Sequence, residues 1–261
     1  MWKKASLALL IAVALTACNS DQEKNESDEN NQQSASSNEF ENQDKAEASV
    51  NKVTYYKWND EAVDEETITA YAEIKNTSDI PIDAGKAKVT FLDSNGNVIS
   101  VLGDERISPR YINKGELGYI SAEIESDIEE FNDLDKIEVE VSPEPFYGSE
   151  IIELNTEELK VNKGTWGQKS TKIGAVGFLR NNSEIDFTKD ETSAAIAAYD
   201  KDDNFLAVET IYIDQDFSID AKSKTSVELG GGSPLPPEVG EKFDHGKVKA
   251  IGIQGMDEFS W

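Results

Sequence analysis

The sequence predicts a mostly β protein, with two tandem β-sandwich domains following a signal peptide and a disordered tether. Three observations predict it. Apolar residues beyond Lys52 recur at period two, the mark of half-buried strands. That pattern then returns once, at offsets of 105 to 111 residues. Before Val53, apart from one uncharged run near the N-terminus, apolar side chains are few.

Composition sets the outer bounds. A chain of 261 residues suits two domains of about 100 residues each. Its 25 Lys+Arg stand against 52 Asp+Glu, a formal charge of −27, which excludes nucleic acid as a partner because phosphate affinity comes from cations. One Cys and one His exclude an intrachain disulfide framework and a thiolate–imidazole metal cage. Apolar residues make up 38%, less than the roughly 45–50% of an ordinary globular chain, so part of the chain is expected to stay unfolded.

Residues 1–17 have the form of a secretory leader. Lys3 and Lys4 form a basic start, and Ala5–Ala17 carries no charge. A helix crossing the bilayer needs about 20 apolar residues, so this run is short for a permanent span. It ends Leu15-Thr16-Ala17-Cys18, and these four residues resemble the bacterial lipobox. The resemblance implies cleavage before Cys18 and lipid attachment at its thiol, with acyl chains such as palmitate. Two chains at about 0.8 kcal/mol per buried methylene hold a protein on a membrane without a spanning helix. The expected location is therefore the extracytoplasmic face of the cell membrane, where loss of Lys3 and Lys4 leaves a charge of −29.

Residues 18–52 are read as the lipidated Cys followed by an acidic tether. Asn, Gln, Ser, Asp and Glu dominate, and the apolar residues after Cys18 are Ala35, Phe40, Ala46, Ala48 and Val50. So little apolar surface does not offset the entropy of ordering a backbone.

The first domain is placed at residues 53–145. Ile68, Ala70, Ala72 and Ile74 alternate with Thr69, Tyr71, Glu73 and Lys75. Ala87, Val89 and Phe91 alternate with Lys88 and Thr90, and Asn95-Gly96-Asn97 then signals a hairpin. Ile120, Ala122 and Ile124 form another strand pattern, as do Ile137, Val139 and Val141. Between these two, Ser126-Asp127-Ile128-Glu129 has the spacing of a capping box for a short helix. Pro143-Glu144-Pro145 and the polar residues near Asn155 read as a joint.

The second domain is placed at residues 157–261. Tyr71 to Ser78 is echoed by Val176 to Ser183, and Ala87, Val89, Phe91 and Asp93 by Ala194, Ile196, Ala198 and Asp200. Lys136-Ile137 is matched to Lys247-Val248, and Val53 and Trp58 to Val161 and Trp166. About seven short strands per copy, separated by turn signals, are the pattern of a β-sandwich.

Both copies resemble the FxLYD domains of bacterial lipoproteins. Copy two reads Ile196-Ala197-Ala198-Tyr199-Asp200, and copy one reads Phe91-Leu92-Asp93 before a Gly96 turn. The Asn-x-Ser at the preceding strand end is present as Asn76/Ser78 and Asn181/Ser183. The resemblance implies an immunoglobulin-like sandwich and brings no catalytic residues with it.

Candidate sites are few. Asp200-Lys-Asp202-Asp-Asn204 and the set Asp93, Asn95 and Asn97 resemble the opening of a calcium loop. An EF-hand needs Gly at position six and Glu at twelve, where these loops have Phe205 and Ile211, and Val98 and Asp104. They read as turns, with calcium kept as the cation such acids would take. His245 reads as a solvated loop histidine, and Gly230-Gly231-Gly232 before Ser233–Pro237 as a flexible, then extended connector. Trp58, Trp166, Trp261, Tyr55, Tyr56, Tyr111 and Tyr119 read as packing residues rather than one aromatic face. No catalytic, cofactor or metal residue is assigned. The expected role is non-enzymatic: binding or spacing at the cell surface, with an unidentified surface protein or glycan as partner. An extracytoplasmic hydrolase, or a subunit accessory to one, is the alternative and would show a deep pocket holding converging acids or His245. A cation-dependent adhesion module is the third reading.

Overall fold

The period-two stretches form strands, and in two of them both faces are covered. The computed structural model describes residues 45–254 apart from 61–64, 126–130, 168, 212 and 214–215. The described residues belong to one compact unit, Gln43–Trp261. Cys18, the capping signal at Ser126–Glu129 and Trp261 lie outside the described residues.

The first repeat runs β1 (Ala48–Asp60), β2 (Glu65–Asn76), β3 (Ile82–Asp83), β4 (Lys86–Asp93), β5 (Val98–Ser108), β6 (Tyr111–Ile112), β7 (Leu117–Glu125) and β8 (Leu134–Val141). Two short strands, β9 (Glu144–Pro145) and β10 (Ile151–Glu153), follow. The second repeat runs β11 (Asn155–Trp166), β12 (Ser170–Arg180), β13 (Phe187–Thr188), β14 (Thr192–Tyr199), β15 (Phe205–Ile211), β16 (Ser218–Ile219) and β17 (Lys224–Gly230). Helix α1 (Pro237–Lys242) and β18 (His245–Ile253) complete it. The protein is thus mostly β, built of several antiparallel sheets in the manner of a β-sandwich.

The two repeats share one strand plan. In the first, β1-β2-β7 and β5-β4-β8 join into a six-stranded sheet because Ile107 and Ser108 of β5 cross to pair with Ile120 and Tyr119 of β7. In the second, β11-β12-β17 and β10-β18-β14-β15 stay separate. Ile82 lies opposite Ile112 as Phe187 lies opposite Ile219. Val89 and Ile196 are both fully buried, as their shared apolar phase requires.

Registers correct two of the sequence matches. Val89 pairs with Val139, and Ile196 with Val248, an offset of 109 on the last strand rather than 111. The slip is two residues, which preserves the face and so is invisible to apolar phase. Trp58 sits opposite Thr67, whereas the counterpart of Thr67, Lys172, sits opposite Gly164 rather than Trp166. Trp58 and Trp166 are therefore not equivalent; this slip is again two residues and preserves the face.

Three further differences concern boundaries. Strand β1 begins at Ala48, inside the stretch read as tether. Ala46 and Ala48 pack on the first core and Val50 pairs with Ile74, so a short period-two signal was hidden among polar residues. The joint is built into the sheets, with Pro145 opposite Ile82 and Ile151 opposite Ile253. The connector after the glycines carries a bridge from Leu235 to Thr171 and then α1, whose first residue, Pro237, suits a helix start.

The first core holds Ile68, Ile74, Val89, Phe91 and Ile120. The second holds Ile173, Leu179, Ile196, Phe205 and Ile211, and it extends into the first repeat through Tyr71 and Tyr119.

Candidate functional site

The site follows from how the repeats meet. Strand β2 carries Ile68 to Ile74 inward, yet its other face is buried too, with Thr69, Tyr71 and Glu73 at most 3% exposed. The cover is β15, which packs on β1, β2 and β7. Every residue of β14 is likewise buried, and Ala195, Ala197 and Tyr199 share the face turned from Ile196. A run of small residues is what permits cover on both sides.

Polar side chains pin this contact. The Tyr199 hydroxyl donates to Glu73 Oε1 at 2.8 Å, and Asn51 Nδ2 donates to Glu73 Oε2 at 2.8 Å. Thr54 Oγ1 and the Tyr56 hydroxyl both donate to the Leu206 carbonyl, at 2.8 and 3.2 Å. Phe205 stacks on Tyr119 with ring centres 6.0 Å apart. Lys249, only 14% exposed, joins Glu116 of the first repeat to Glu153, at 2.5 and 2.8 Å. Burial pushes the Tyr199 phenol far above its usual range, and the neighbouring Tyr119 and Glu73 push it the same way.

Beside this seam lies a cleft of about 430 Å³ whose walls come from both repeats. The first repeat supplies Tyr71 and Glu123 together with Asp104, Glu105 and Arg106; the second supplies Glu209 and the turn at Ser233. Glu209 is 4% exposed. It lies opposite Ile196, where the first repeat places Leu102 opposite Val89, so a buried acid replaces an apolar residue of the shared plan. Its Oε1 accepts the Gly232 N–H at 3.0 Å, whereas its Oε2 has no hydrogen-bond partner. Burial raises the Glu209 carboxyl above the usual range, against the pull of backbone amides in the Gly231–Ser233 turn. Burial also raises Glu105, with Asp104 adding to the effect.

The residues singled out from sequence fall elsewhere. Asp93 Oδ1 accepts the N–H groups of Asn95 and Asn97, and its Oδ2 accepts Asn97 Nδ2. Asp200 does the same with Asp202 and Asn204. Both loops are hairpin turns stapled by their first Asp, which closes on Gly96 or Asp203 at positive φ. His245 is not a free loop residue. It opens β18, stacks on Tyr199 at 5.6 Å, and stands 3.2 Å from both Asp244 and Asp203. Tyr56 and Tyr119 go to the seam, Tyr111 packs on Phe146, and Tyr55 is 37% exposed. No helix among the described residues is long and apolar enough to cross a membrane. Sequence reasoning missed Glu73, Tyr199 and Glu209; placing the repeats in register would have flagged Glu209 opposite an apolar counterpart.

No family model matches the chain, and neither does any curated protein or solved structure.

Proposed function

We propose that this protein is a non-enzymatic binding module, held by lipid on Cys18 at the extracytoplasmic face of the cell membrane, which offers the cleft between its two FxLYD-like repeats to a ligand. The cleft carries the reading. Both repeats contribute side chains to this one concavity, and it holds a buried acid that the shared strand plan does not require. The anchor rests on Leu15-Thr16-Ala17-Cys18 after a basic, then uncharged leader. Partners are then a surface protein, a glycan or a smaller solute, and not nucleic acid.

A hydrolase is the second reading, and the raised carboxyl of Glu209 is what favours it, since general acids are tuned upward by burial. Binding is preferred because the hydrogen bond accepted by Glu209 comes from a backbone amide of the glycine turn packed against it rather than from a nucleophile or a second acid. A cation-dependent adhesion module would need grouped ligands, and among the described residues no three His, Cys, Asp or Glu side chains stand close enough to hold a metal ion. Fractionation of cells expressing Cys18→Ser tests the anchor. The variant should leave the membrane fraction, and unchanged membrane association would overturn this part of the reading.

A further inference from the structure

The cleft gathers acids from both repeats. Asp104, Glu105 and Glu123 come from the first repeat and Glu209 from the second, and no three of them converge on a single point suited to a metal ion. One cation in the cleft, Arg106, stands among them. Four carboxylates lining one cleft without a group suited to a metal ion match a ligand that carries several positive charges.

Glu209 is the second and independent observation. It is more than nine-tenths buried, it lines the cleft, and one of its two oxygens lacks a partner. A buried carboxylate beneath the cleft, with one oxygen unmatched, attracts a cation across a medium of low dielectric, where charge acts over a longer reach than in water. The Gly230-Gly231-Gly232 turn against which it lies has positive φ at Gly230 and Gly231, a path that side chains rarely follow and that lets backbone amides approach the carboxylate. The first repeat, with Leu102 at the same position, has no such charge.

We propose that the cleft binds an extended chain bearing several alkylammonium groups, with Glu209 as the buried counter-charge and Asp104, Glu105 and Glu123 as the outer contacts. The proposal rests on the reading of the cleft as a binding site. A free polyamine and a lysine-rich peptide both present this chemistry.

Calorimetric titration of the full-length protein with spermine and with tetralysine, at physiological salt, tests it. Physiological salt screens diffuse attraction to the surface while sparing a buried charge. One-to-one binding of either probe is expected, and the stronger of the two names the source. Glu209→Gln, which keeps the Gly232 contact, should weaken that binding at least about tenfold. Glu150→Gln removes one exposed acid outside the cleft lining and should change it less than about twofold. If Glu209→Gln fails to fold, the double variant Asp104→Asn, Glu123→Gln carries the same expectation. Equal weakening by the cleft and Glu150 variants would overturn the proposal as mere charge condensation. Binding of a neutral oligosaccharide in the cleft, with neither amine bound, would overturn the ligand class while sparing the binding role. Binding of none of the three probes would overturn both.

Discussion

Asn76 and Asn181 show how one side chain fixes a strand end in both repeats. Asn76 Nδ2 donates to the Ile80 and Ile112 carbonyls, each at 2.8 Å, and its Oδ1 accepts the Ser78 N–H and hydroxyl. Asn181 does the same with Ile185, Asp220 and Ser183. Both are fully buried, so removing either amide strands carbonyl groups away from water. Asn76→Ala and Asn181→Ala should each cost about 2–4 kcal/mol by urea denaturation, and a loss under about 0.5 kcal/mol in either would show that these bonds are not what holds the strand end. These residues were legible in the sequence because Asn-x-Ser and the Asp of each hairpin are local devices whose partners lie near them in the chain or on the adjoining turn. Glu73 and Tyr199 were not legible, since each takes its environment from a surface distant in sequence, and Glu209 stands out only once the two repeats are placed in register.

At the scale of strands, period two located the elements and their inner faces but not what covers the outer ones. Strand β2 alternates Ile, Ala, Ala and Ile with Thr, Tyr and Glu, which reads as one wet face; the second repeat makes that face dry. Register within the last strand slipped by two in the sequence match because apolar phase is blind to an even shift. The cover has a consequence at high pH. Burial raises Tyr56 to about 12 from its ordinary 10.0 and raises Tyr71 and Tyr199 well above that ordinary value, Tyr199 with help from Tyr119 and Glu73. A group whose folded pKa exceeds its unfolded one lends stability that is complete below the unfolded value. That stability is lost as pH rises through the folded value. Stability should therefore fall from about pH 10 upward as tyrosines ionise in the unfolded chain. Tyr199→Phe should cost about 1–3 kcal/mol at pH 8 by leaving Glu73 Oε1 unpaired, and should flatten the decline between about pH 9.5 and 11.5. Urea midpoints across that range measure both, and an unchanged slope would mean that Tyr199 titrates as a solvated phenol.

For the whole molecule, two copies of one strand plan have become a single body. The second core reaches through Tyr71 and Tyr119 into the first repeat, and Lys249, Tyr56 and Tyr199 cross the seam with polar bonds. Fusion of this kind is what gives the cleft fixed walls, because each repeat supplies one side of it. Independent sandwiches joined by a flexible hinge would present no such concavity. The repeat itself was visible from sequence, whereas the fusion was not, since the bonds that make it join residues far apart in the chain, as Glu73 and Tyr199 do across 126 positions. Differential scanning calorimetry of the full-length chain tests this most directly. One transition is expected, with calorimetric and van 't Hoff enthalpies in agreement. Val89→Ala, confined to the first core, should lower stability by about 1–4 kcal/mol and move that transition as a whole. Two transitions, of which Val89→Ala moves only one, would contradict the account.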